Sequence, residues 1–124
     1  MMTAGRQNRR AAAAALCELP TYLREHPRTS LATRKSEVLE SVADVCEDDL
    51  LEVLEACPQL IDLWSSYVEN QRTDDGLYVR VRKTPTRGVE WAVARPNCGD
   101  IAAFSSVVPA YARLIAEILR LPKR

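Results

Sequence analysis

The chain is predicted to fold as an α+β protein, mainly α with one β-hairpin, and three observations lead there. Apolar residues return at three- and four-residue steps over most of the sequence, the spacing of helices with one buried face. Only between residues 77 and 95 does the step drop to two, the period of a half-buried strand. Proline, glycine and short polar runs separate these stretches, with no repeat and no low-complexity linker. At 124 residues the chain fits one domain, since domains most often run about 100–150 residues.

The elements follow in order. The N-terminal segment, 7–27, places Ala12, Leu16, Leu19 and Leu23 on one helix face. Pro20 lies inside it and either kinks the helix or restarts it with Pro20 at its first position; Pro27 ends it. The Thr- and Ser-rich stretch Arg28–Lys35 reads as a loop, and Ser36 as the N-cap of a second helix striped by Val38, Val42 and Val45. Glu47, Asp48 and Asp49 open a third helix, where carboxylates oppose the positive end of the dipole, and Leu50, Leu51, Val53 and Leu54 supply its buried side. After Pro58, a fourth helix carries Leu60, Ile61, Trp64, Tyr67 and Val68.

Thr73–Gly76 is a turn signal. Leu77, Val79 and Val81 then alternate with Tyr78, Arg80 and Arg82, and the alternation resumes in Val89, Trp91 and Val93 beyond Pro85 and Gly88. These two runs predict a hairpin over 77–95. Asn97–Asp100 is a second turn, and 100–121 is assigned to a C-terminal helix. That helix starts in earnest near Pro109, with 101–106 as a short turn or helix of its own. Trp64 and Trp91 are expected as core anchors.

Several function classes are poorly supported. His26 is the only histidine, and Cys17, nine residues earlier, is no partner for it as nucleophile to base. The four glycines are scattered and build no phosphate loop. Cys17, Cys46, Cys57 and Cys98 lack the close pairing of a zinc site and are expected as buried free thiols. No cofactor and no metal is expected, and the chain reads as non-enzymatic. No apolar run approaches the roughly 18 residues of a membrane span. The apolar run Ala11–Leu16 is cut short by Cys17 and Glu18, below the length of a signal-peptide core, so a cytoplasmic protein is expected.

Charge is the most unusual property. Residues 1–35 hold seven basic and two acidic side chains, 36–75 one basic and twelve acidic, and 76–124 nine basic and three acidic. Surfaces usually mix their signs, so this segregation points to a function exercised through surface potential.

Three helices and a hairpin over 36–95, with helices before and after, resemble a winged helix-turn-helix. Ala43 sits mid-helix where that family lets a neighbouring helix approach, Val45, Cys46 and Glu47 take the tight turn, and Leu50, Val53 and Leu54 fill the next helix's inner face. Tyr78–Lys83 and Val89–Arg95 stand at the wing. The resemblance implies a small DNA-binding regulator, a homodimer through its terminal helices. Either Asp48–Ala56, which has no basic residue, or Gln59–Gln71 stands as its recognition helix.

Two candidate surfaces follow, nucleic-acid binding through the basic hairpin being the expected function and protein interaction the alternative. For double-stranded DNA, Arg80, Arg82, Lys83, Arg87 and Arg95 would meet phosphates, with Gln59, Ser65 and Asn70 nearest the bases. For a basic protein partner, the acidic set Glu47, Asp48, Asp49, Glu52 and Glu55 would make the contact, as in an adaptor, inhibitor or immunity-type protein.

Overall fold

In a computed structural model, the described chain comprises residues 2–122 other than 41, 43, 72–75, 87, 97 and 98, with the backbone alone described over 2–7 and 69–71. The architecture is α+β. Among the described residues, six helices and one three-stranded antiparallel sheet follow in the order α1 (Met2–Cys17), α2 (Leu19–Glu25), α3 (Leu31–Leu39), α4 (Glu47–Ala56), α5 (Leu60–Gln71), β1 (Tyr78–Thr84), β2 (Gly88–Arg95), β3 (Gly99–Phe104) and α6 (Val107–Leu119).

The N-terminal segment forms two helices. Pro20 falls in the first turn of α2, where its missing N–H and fixed φ are tolerated, so the restart is realised and not the kink. The stretch expected as a loop contains α3. Ser30, in extended conformation, accepts a bond from the Thr33 N–H at 3.1 Å and caps that helix, leaving Ser36 exposed within it. The hydroxyl-rich composition signalled a cap, and it lies six residues earlier than assigned. At α4, Asp49 reaches back to accept from the Cys46 N–H at 3.0 Å, which explains why this carboxylate is buried. Ala43 and Cys98 lie outside the described residues.

The hairpin forms where the two-residue step placed it, with Val79 opposite Val93 and Val81 opposite Trp91. Beyond it the expectation fails: 99–104 is a third strand, not part of the C-terminal helix, and it pairs with the free edge of β2. The run Ile101–Phe104 is apolar without alternation, so nothing local distinguishes strand from helix there.

Helix α6 is the hub. Leu114 joins Leu77 and Val93 beneath the sheet, while Ala112, Ile115, Ala116 and Leu119 enter a helical core with Ala12, Leu16, Val53 and Trp64. It packs on all three strands and on α4, and α4 packs in turn on α1. Both terminal helices therefore spend their apolar faces in one core within the chain. Trp64 is fully buried, as expected; Trp91 is only half-buried, between Val81 and Phe104. Among the described residues, no helix is long and apolar enough to cross a membrane, and no group of three or more His, Cys, Asp or Glu is placed to hold a metal ion.

Candidate functional site

Strand alternation gives the sheet two chemically different faces. Leu77, Val79 and Val93 turn toward α6; Tyr78, Arg80 and Arg82 turn the other way, together with Glu90, Ala92 and Ala94 of β2 and Asp100 of β3. On this outer face Arg80 donates from Nη2 to both Asp100 oxygens, at 2.9 and 3.0 Å. Arg82 donates from Nε to Glu90 Oε2 at 3.0 Å and from Nη1 to Asp100. Both guanidinium groups span the central strand to reach Asp100. They can do so because Ala92 and Ala94 beneath them carry only a methyl group, and both alanines are buried although they face away from α6. Hydrogen bonding to Glu90, reinforced by the charges of Asp100 and Glu90, holds Arg82 in its cationic form above the ordinary arginine value.

The other proposed phosphate contacts do not join this pair. Lys83 belongs to the helix-facing side of β1, where it is exposed at the hairpin's far end beside Val89. Arg95 turns toward α6 and lies 3.8 Å from Glu117. Arg87 is outside the described residues. Gln59 is exposed ahead of α5, Ser65 is half-buried within that helix, and of Asn70 only the backbone is described. So the structure brings together Arg80 and Arg82, and with them two carboxylates that reading for cations passed over. Glu90 was findable: counting outward from the turn, where Thr84 faces Gly88, puts it opposite Arg82. Asp100 was not, because its place depends on β3.

The acidic set divides between structure and surface. Asp49 is buried, caps α4 and lies 3.8 Å from Arg9. Glu47 lies 3.5 Å from Arg113, tying α4 to α6. Asp48, Glu52 and Glu55, four and three residues apart, form one exposed stripe on the side of α4 opposite Leu50, Val53 and Leu54.

The remaining catalytic candidate, His26, is exposed at the C-cap of α2, its Nδ1 3.0 Å from the Tyr22 carbonyl and its ring stacked on Tyr22 at 4.0 Å. Cys17 is buried at the other end of that helix, and burial, then the charges of Glu18 and Cys57, pushes its thiol up to about 12. Comparisons with protein-family models, with curated proteins and with solved structures find no match to this chain.

Proposed function

We propose that the chain is a non-catalytic protein-interaction module that engages a basic partner through the exposed acidic stripe of α4. The observation that carries this reading is the exposed acidic stripe on a helix anchored in the core. Arg80 and Arg82 are engaged by Glu90 and Asp100 on their own sheet, so that face offers phosphate little uncompensated positive charge. Asp48, Glu52 and Glu55 are exposed on a helix whose opposite side is fixed in the core. A rigid helix presenting carboxylates at one-turn spacing matches lysine or arginine side chains on a partner, speeding encounter and selecting against acidic surfaces.

The test is charge reversal. A fluorescent Lys/Arg-rich helical peptide is titrated with the wild type and with the double variant Glu52→Lys, Glu55→Lys, which spares the first turn and the core. Binding is expected to weaken at least about tenfold in that variant. A control reversing Glu25 and Glu40, exposed elsewhere on the molecule, is expected to bind as the wild type does. Equal loss in the two double variants would reduce the interaction to net charge and remove α4 as a site.

A further inference from the structure

Helix α2, the turn that follows it and α5 enclose a groove of about 580 Å³ that neither charged surface involves. Its walls are held in place by local chemistry. Pro20 opens α2 and Pro27 follows its C-cap, so the chain must turn there. Tyr22 then fastens that turn to α3: the His26 ring stacks on it, and the Arg34 guanidinium lies 4.0 Å from its centroid. Two groups at that distance cannot share one ring face, so they clasp Tyr22 from opposite sides, with a cation–π attraction on one of them.

The lining has a definite chemical character. Leu23, Leu31 and Leu63 give an apolar wall, and Thr21, Thr29 and Ser66 bring hydroxyls to it. Among the described residues, one charged residue lines the groove, Arg24, and no carboxylate does. The volume falls within the roughly 300–1,000 Å³ of small-molecule sites, which combine apolar walls with a few orienting polar groups.

We infer that this groove binds a small amphipathic monoanion, an aromatic or aliphatic body bearing one carboxylate. The leucines cover the body, Arg24 takes the carboxylate and the hydroxyls orient it. A single cation in the lining suits one negative charge better than the several of a nucleotide. The site lies apart from the α4 stripe, and neither proposal depends on the other.

A matched pair of probes isolates the charge: 2-naphthoate and 2-naphthamide share a body and differ in the anionic oxygen. In amide-detected NMR titrations of the full chain, naphthoate is expected to shift Thr21, Leu63 and Ser66 saturably and to bind about tenfold or more tightly than naphthamide. Arg24→Gln, at an exposed position outside the core, is expected to erase that preference while leaving the rest of the spectrum in place. Equal binding of the two probes by the wild type, a preference that survives Arg24→Gln, or no shift at those amides in millimolar naphthoate would each overturn the assignment.

Discussion

Trp64 and Cys17 meet at the junction of α5 with the end of α1, where the indole N–H donates to the Cys17 carbonyl at 2.7 Å. That carbonyl ends a helix and has no intrahelical partner of its own, so the indole meets two needs, burial and a terminal acceptor. Trp64→Ala is expected to cost about 3–5 kcal/mol in urea unfolding. Trp64→Phe keeps much of the volume but withdraws the donor, and is expected to cost about 1–3 kcal/mol. The burial was legible from helical spacing with Ile61 and Val68; the bond, 47 residues apart in sequence, was not. Cys17 carries a pH signature. Its folded pKa, about 12, stands above the ordinary thiol value of 9.0, so the stability it contributes is complete below pH 9 and is lost as pH rises toward 12. The loss is about 1.4 kcal/mol per pH unit across that window. Chemical denaturation between pH 8 and 10.5 is expected to show a shallower decline in Cys17→Ala than in the wild type; parallel declines would contradict the assignment.

At the scale of elements, the hairpin was readable because strands announce themselves in a two-residue step, and its turn set the register. The third strand was not. Its apolar run is too short to carry a period, and it forms because β2 has an edge to offer, which is a tertiary condition. The same omission hid both outer-face ion pairs made by Asp100, since that residue arrives with β3. Asp100→Asn is expected to release Arg80 and Arg82 toward solvent, raising low-salt affinity for mixed duplex DNA while changing stability by less than about 1 kcal/mol. Duplex affinity unchanged by that substitution would show that the carboxylate does not mask the arginines. Gly76 supplies another element-scale expectation. It enters β1 with φ +67°, and a methyl group built on it would lie 3.1 Å from Cγ of Pro96 at the end of β2. Gly76→Ala is expected to lower stability by about 1–2 kcal/mol through left-handed strain, measured as a fall in denaturation midpoint at constant slope.

Across the whole molecule, the charge blocks of the sequence proved a poor guide to charged surfaces. Chain segments of one sign are folded against segments of the other: Arg9 lies near Asp44 and Asp49, and Arg113 near Glu47. Charge counting along a chain cannot foresee such pairing, because the partners are brought together by the α1–α4–α6 core. The α+β class and the hairpin were legible; α3, the third strand and which helices neighbour which were not. Among the described residues, Asp48, Glu52 and Glu55 form a coherent exposed acidic stripe on α4. The most direct measurement is a parallel fluorescence-anisotropy titration at low salt, with the protein added to a labelled mixed-sequence DNA duplex and to a labelled Lys/Arg-rich peptide. Binding of the peptide that weakens as salt rises, with no binding of the duplex, is expected. Salt-sensitive binding of the duplex, lost in the Arg80→Ala, Arg82→Ala double variant, would contradict the protein-interaction reading and place nucleic acid on the sheet's outer face.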